Sequence, residues 1–289
     1  MARVLAFRFD VDSVRCAEEG IPNLMRMADR TGVRFSFFVN MGYSFNWTHN
    51  VTHSISKWRH RRKGERPLAA RSSLPTTKKL GLRGVLKTMI LNPRLGDRYR
   101  NVFDTLHHEG HELGLHGGMD HVIWQRSLHR LDDAQIEALF APAYRRFEDR
   151  YGRPAGFASP GFVHDERILA LVDRYGFRYA SDMAGQEPFR AGTPAGEVFV
   201  HVQVPVNVAG QGNVPLVEQG LARGLTRAAI LNECLDAIRA RQFALLYGHP
   251  YVEGVHASLL EEVIRELAGE YEVATVDRYL TRWSDQRDG

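Results

Sequence analysis

Asp10 and Asp12 stand one residue apart at the end of the apolar run Phe7-Arg8-Phe9-Asp10-Val11-Asp12. On a strand, side chains at a spacing of two point to the same side, so the two carboxylates converge. Carboxylates that close repel each other unless positive charge lies between them, and a divalent cation is the usual partner. The plainer alternative is a solvated acidic strand end before a turn. A second stretch, Gly110-His111-Glu112-Leu113-Gly114-Leu115-His116 and onward to His121, delivers imidazoles after another apolar run. One carboxylate and two imidazoles are the ligand set of an open catalytic zinc site. Asp12, His116 and His121 are therefore expected to hold a divalent ion, which brings the pKa of bound water toward neutrality. Asp10 is placed to take the water's proton, and His249, after Leu246-Tyr247-Gly248, to protonate a leaving amine. A backbone N–H near Gly161, in Ser159-Pro160-Gly161-Phe162, adds oxyanion stabilisation. Asp182 is expected to orient His249 and to support its protonated form. The reaction class is metal-assisted amide hydrolysis.

These residues need a frame that gathers them. The opening reads β-α-β: a strand over 3–9, a helix with Ile21, Leu24, Met25 and Ala28 on one face and Gly32 as its stop, then the apolar run 33–39. A near-continuous apolar run is the mark of a strand buried on both faces, as in parallel sheets. Further helices are expected over 99–109, over 133–151 with a kink at Pro142, over 165–175, 226–241 and 259–267, with a short one over 277–283. Between them lie strands over 112–115, 155–158, 177–180, 199–206, 243–247 and 273–276, and a Gly-rich connection over 210–224. Asp10 and Asp12, His116, Pro160-Gly161, Asp182 and His249 all fall just after strands. In a parallel βα barrel the loops at the C-terminal strand ends build the active site. His107, His108 and His111 precede their strand, so they are expected at the opposite rim, and His201 at most supports the site from behind.

Composition bounds the rest. A chain of 289 residues can bury a large core, and one domain is expected. Met1 leads straight into a strand and no run of about eighteen apolar residues occurs, so a soluble, unexported protein is expected. Cys16 and Cys234 make no spaced framework and suit a reducing compartment. The formal charge of +4 is concentrated between Lys57 and Lys87, where eleven Lys and Arg face the single acid Glu65. That run belongs to a segment over 41–97 rich in aromatics (Tyr43, Phe45, Trp47, Trp58) and in breakers, too long for a plain loop and so expected to be a lid, a lipid-binding insert or partly disordered. Leu82, Val85, Leu86, Met89 and Ile90 are spaced to line one face of an expected short basic helix there, a pattern that suits a membrane surface or core packing. No nucleic-acid-binding module accompanies the basic run, so nucleic acid is not an expected partner.

The motifs Phe9-Asp10-Val11-Asp12, Gly110 to His116, Ser159-Pro160-Gly161 and Leu246-Tyr247-Gly248-His249 resemble, in order and spacing, those of the polysaccharide deacetylase (NodB-homology, carbohydrate esterase family 4) superfamily over nearly the whole chain. The resemblance implies an α/β fold, a distorted, incomplete (β/α) barrel of about seven parallel strands, and hydrolysis of an N-acyl group from an amino sugar. It makes Asp10 the base, Asp12 a metal ligand and His249 the acid, with zinc the expected ion and manganese or cobalt as alternatives. A closer similarity, through Asp12-Ser13-Val14-Arg15, Glu19-Gly20-Ile21-Pro22, Ser36-Phe37-Phe38, Asp120-His121, Trp124-Gln125, Ser181-Asp182 and Glu253-Gly254, is to the lipid-linked branch, the 4-deoxy-4-formamido-L-arabinose-phosphoundecaprenol deformylases. That branch implies a polyprenyl-phosphate amino-sugar substrate, with Arg15, Trp124 and Glu253 joining Pro160 and Gly161 at it. It also implies a cytoplasmic protein held peripherally on the inner membrane, where the insert would meet anionic lipid. Two departures stand out. Ala158 occupies the place of a family arginine, and Arg8 or Arg15 is expected to supply that charge near Asp10. His116 and His121 are at i, i+5 where the family has i, i+4, an offset of about 100° on a helix. Gly117 and Gly118 can absorb it in a turn, and Asp120 is the reserve ligand if they do not. The rival readings are a soluble polysaccharide or oligosaccharide deacetylase and an inactive glycolipid-binding barrel.

Overall fold

The structure, a computed structural model, describes residues 3–44, 91–193 and 195–285. The basic run and the helix expected at its end lie outside the described residues. Seven parallel strands curl in the order β6 (Val202–Gln203), β5 (Tyr179–Ala180), β4 (Gly156–Ala158), β3 (Glu112–His116), β2 (Ser36–Val39), β1 (Arg3–Val11) and β7 (Phe243–Gly248). β8 (Tyr271–Val273) pairs with the first residues of β1. This is the expected incomplete α/β barrel.

The alternation along each strand sorts the chain into two cores. Leu5, Phe7, Phe9 and Val11 of β1 join the large outer core, which also takes in apolar faces of Ile21–Thr31, Asp133–Tyr151 and Arg227–Arg239. Val4 and Ala6 turn the other way, into a smaller cluster with Phe38, Ala158, Tyr179, Val202 and Leu245 inside the curl. Period two then puts Arg8 and Asp10 on that inner row, and Asp12 follows it. On β7 the inner row is Phe243, Leu245, Tyr247 and then His249. The register sets Tyr247 beside Arg8. The strand ends thus bring a polar row to one rim of an apolar interior.

The two ends of the curl, β6 and β7, are joined without a full ladder. Val208 bridges to Leu246, and its N–H donates to Leu245 O at 3.1 Å. The buried Asn207 amide spans the same gap: Nδ2 donates to Phe243 O and Oδ1 accepts from Leu245 N, both at 2.8 Å. Asn207→Ala strands a donor and an acceptor inside the protein and should cost about 3 kcal/mol in urea unfolding. A loss near zero would mean that Val208 alone holds the closure.

Two expectations are corrected. Of the strand expected over 199–206 only Val202–Gln203 is regular, because Phe189 takes the far side of Gln203 in an antiparallel bridge and the chain bends there. The Gly-rich connection contains a helix, Leu216–Ala222, whose Val217 joins the outer core. Helix Asp133–Tyr151, with Pro142 inside it, starts at a capping box of Asp132 and Gln135 and ends at Gly152 as expected.

Candidate active site

At the mouth, Arg8 and Asp10 form a fully enclosed pair. Arg8 Nε donates to Asp10 Oδ1 at 2.9 Å and Nη2 to Oδ2 at 2.8 Å, a bidentate fork. Nη1 donates to the Ser181 carbonyl. The guanidinium lies against three rings, with its carbon 4.8 Å from the centroid of Phe162, 5.1 Å from Phe38 and 5.3 Å from Tyr247. Burial pushes the Asp10 carboxyl up, but the charge and two hydrogen bonds of Arg8, with His116 beside it, overcome this and leave it below its ordinary value. Asp10 therefore stays ionised although it is only 2% exposed. Of the two arginines weighed for this charge, Arg8 is the one at Asp10; Arg15 is half-buried and pairs with Glu19 at 2.8 Å.

The two histidines meet. β3 ends at His116, Gly117 turns with φ +65, and His121 opens the helix His121–Ser127. Across this turn the two rings stand 5.3 Å apart between centroids. A side chain at Gly117 would press on Pro160, its Cβ 2.6 Å from the proline ring. His121 N–H donates to Tyr43 O at 3.1 Å, which seats it against the segment after β2. Asp120 caps the helix, Oδ1 accepting from Ile123 N at 2.9 Å. Nδ1–H of His116 donates to Ala158 O at 2.9 Å, leaving Nε2 with the lone pair. Burial holds both imidazoles toward the neutral form, His121 most strongly, with His116 and His249 adding to it. Neutral rings are the ligating form.

Asp12 lies between His121 and His249: its Oδ2 is 3.7 Å from His121 Nε2 and 3.6 Å from His249 Nε2. Donors in a tetrahedral shell with bonds of about 2.0–2.1 Å are separated by about 3.3 Å, so these pairs are within a few tenths of an ångström of sharing an ion. Among the described residues no three His, Cys, Asp or Glu side chains close on one point as they stand. The donor set suits a divalent cation in chemistry, and its Asp12–His121 pair comes close to it in spacing. Beneath Asp12 the Cys16 thiol lies 3.7 Å from Oδ1, and burial, then Asp12 itself, pushes its pKa up, so it is a thiol donor there.

His249 follows β7. Its Nε2 is 3.0 Å from the Tyr247 hydroxyl, its ring stacks on Tyr251, and its N–H donates to Glu253 Oε2 at 2.6 Å. Burial, then Asp10, raises the Tyr247 pKa, so that hydroxyl keeps its proton.

Other candidates sit elsewhere than expected. Asp182 has a partner other than His249: Oδ1 accepts from Ser159 N at 2.6 Å, and Arg8 is the cation beside it. Burial pushes it up to about 6, which Arg8 and the Ser159 N–H only partly offset. Glu253 is wholly buried and grips the His249 backbone. Trp124 is buried too, with Nε1 donating to Ser159 Oγ at 2.7 Å and its ring against Phe140 and Phe157. It supports the Ser159–Phe162 turn from below. In that turn Pro160 is buried and Gly161 exposed at φ +68, and Phe162, at φ +58, lays its ring 5.1 Å from Tyr247. A positive φ is uncommon for a bulky residue and marks a turn shaped around something other than its own comfort. His111 is a core residue of the opposite rim, accepting from Phe35 N at 3.1 Å; burial, then Arg34, brings it down to about 4. Arg8, Tyr247 and Phe162 are the mouth residues that the motifs understate.

No protein-family model matches the chain. A protein of Shewanella sediminis named as a probable 4-deoxy-4-formamido-L-arabinose-phosphoundecaprenol deformylase is 26% identical over 188 residues, 64% of this chain and 58% of that one. The chain thus spans well under two thirds of that relative's length. Among solved structures, one from Mycobacterium smegmatis assigned to the polysaccharide deacetylases superposes with a TM-score of 0.64 at 17% identity, covering 99% of this chain and 92% of its own. The peptidoglycan deacetylase PdaC of Bacillus subtilis gives 0.55 at 14%, covering 99% and 94%. An allantoinase gives 0.65 at 13%, covering 98% and 90%. The chain therefore has the fold of the polysaccharide deacetylases, the superfamily that its motifs resemble.

Proposed function

We propose that the protein is a metal-dependent amidohydrolase that removes a formyl or acetyl group from the nitrogen of an amino sugar carried on a polyprenyl phosphate. The observation that carries this reading is the grouping at one rim of an ionised Asp10, the carboxylate of Asp12, two neutral imidazoles and His249. Asp12, His116 and His121 would hold a divalent cation, for which zinc suits the donor set, and such an ion would supply Lewis acidity to the water and the acyl oxygen. Asp10 accepts the proton of the attacking water. Arg8 holds that carboxylate in place and ionised, which also lowers its basicity. His249, braced by Tyr247, Tyr251 and Glu253, gives a proton to the leaving nitrogen. The Gly161 turn closes the mouth on the β4 side and is the candidate oxyanion donor.

The lipid-linked substrate rests on the deformylase relative. The eleven Lys and Arg of residues 57–87 suit a polyprenyl phosphate on an anionic cytoplasmic leaflet. No described helix is long and apolar enough to cross a membrane. In this reading the protein is cytoplasmic and peripheral, and 41–97 is an insert in a single domain. The second reading, a water-soluble N-acyl sugar or other linear amide, is favoured by the fold shared with PdaC and with an allantoinase. Incubation of the purified protein and divalent metal with lipid-linked and water-soluble N-acyl amino sugars, read by mass spectrometry, separates the two. Faster turnover of the lipid-linked substrate is expected, and the mass lost identifies the acyl group. Preference for the soluble substrate ends the lipid assignment, and no turnover of either leaves a glycolipid-binding barrel.

A further inference from the structure

A line of buried hydrogen bonds runs from the outer surface to the back of the mouth, through residues that the chemistry above does not use. Asp173, near the end of helix Glu166–Arg174, accepts from Val200 N at 2.7 Å and from His201 N at 2.9 Å. Its Oδ1 also lies 2.5 Å from His201 Nδ1. Burial pushes the Asp173 carboxyl up, but those donors outweigh it, and burial keeps the His201 ring toward neutrality. A neutral ring that gives Nδ1–H to a carboxylate has its lone pair on Nε2. Gln203 Nε2 lies 3.0 Å from that atom and donates to it. This fixes which way the Gln203 amide points, because the reverse would set two lone pairs face to face. Oε1 is then free to accept two backbone N–H groups, Asp182 at 3.4 Å and Met183 at 3.3 Å. The turn so held is the one whose Ser181 carbonyl accepts Arg8 Nη1 and whose Asp182 carboxylate accepts Ser159 N. Arg8 in turn grips Asp10. Gln203 and His201 are 0% and 1% exposed, so no water substitutes cheaply for a missing partner.

We propose that Gln203, aligned by His201 and Asp173, is a positioning residue: it shapes the Ser181–Met183 turn and through it sets Arg8, and hence Asp10, in place. Only the kinetic arm of the test rests on the amidohydrolase reading. The first variant is Gln203→Met, which keeps the volume and removes the acceptor. The second is His201→Phe, which leaves Gln203 in place without the partner that aligns it, and it serves if Gln203→Met fails to fold. The primary readout is hydrogen exchange of the Arg8 Nε–H, followed by nitrogen-15 NMR, which needs no substrate. Exchange at least about tenfold faster in a variant whose overall amide protection is unchanged is expected. The same variant should lose about tenfold in kcat with KM held within about twofold, and Gln203→Met should add nothing further in an Arg8→Met background. Unchanged Arg8 exchange overturns the proposal, as does a kcat loss that multiplies with that of Arg8→Met. Faster exchange in a protein that hydrolyses no N-acyl sugar upholds the positioning role and removes the amidohydrolase reading instead.

Discussion

Arg8→Met should cost about 3–5 kcal/mol of folding stability and lower kcat at least about a hundredfold, the largest effect expected of any single change at the mouth. The reason is geometric. Asp10 has almost no access to solvent, and both of its oxygens are bonded to the one guanidinium. Methionine fills the slot among Phe38, Phe162 and Tyr247 but leaves a buried carboxylate without its partner. The pH dependence gives the sign. In the parent, Asp10 is depressed, so its contribution is present above the unfolded carboxylate pKa and is lost as the pH falls through the lower folded value. Without Arg8, burial is opposed only by His116 and His249, so the folded pKa rises and the contribution made above the unfolded pKa shrinks or is lost. Asp182, already raised to about 6 with Arg8 as its main offset, moves the same way. The deficit of Arg8→Met relative to the parent should therefore be smaller at about pH 5 than at about pH 8. Adding Asp10→Asn removes the stranded charge and should recover most of the stability while activity stays lost. A deficit that is the same at both pH values, or a double variant no more stable than the single one, would show that Arg8 acts by packing rather than by charge.

This pair also shows what the sequence could and could not convey. The strands and the rim were legible because period-two burial is written directly into Phe7-Arg8-Phe9-Asp10 and Phe243 to His249. The same alternation places Arg8 and Tyr247 on the inner row, yet a charged residue inside an apolar strand reads ambiguously until its partner is known. That is why Arg15 stood as an equal candidate. Asp182, Trp124 and Glu253 were recognised as site residues, but a motif carries no direction. After a strand end one carboxylate turns back to cap Ser159 N–H, another folds under the His249 backbone, and the indole sinks beneath a turn. Between the i, i+5 histidines Gly117 lies in the left-handed region, a backbone angle that no motif states. His201 was undervalued for a related reason: its worth lies in Asp173 and Gln203, one on a preceding helix and the other two residues along a strand too short for the expected pattern.

Removing divalent metal with a chelator should abolish turnover, and returning zinc, manganese or cobalt should restore it, with the order of recovery naming the preferred ion. A second measurement makes this independent of substrate. An ion that binds the folded chain alone adds about 2.7 kcal/mol at a hundredfold excess over Kd, which raises the unfolding midpoint by about 4–5 °C for a chain of this size. Asp12→Ala removes the carboxylate that lies 3.6 to 3.7 Å from two imidazoles, so the shift should vanish. His116→Ala should weaken it as strongly, because Ala158 O already presets that ring with its lone pair on Nε2. His121 and Asp120 can then be told apart. Asp120 spends Oδ1 on the Ile123 N–H, so Asp120→Ala should cost about 1 kcal/mol of helix capping and leave the metal-induced shift intact. His121→Ala should abolish the shift without that cost. The reverse pattern would make Asp120 the third ligand. A metal-free protein that turns over substrate at the full rate would remove the ion from the mechanism and leave Asp10 and His249 to act on water unaided.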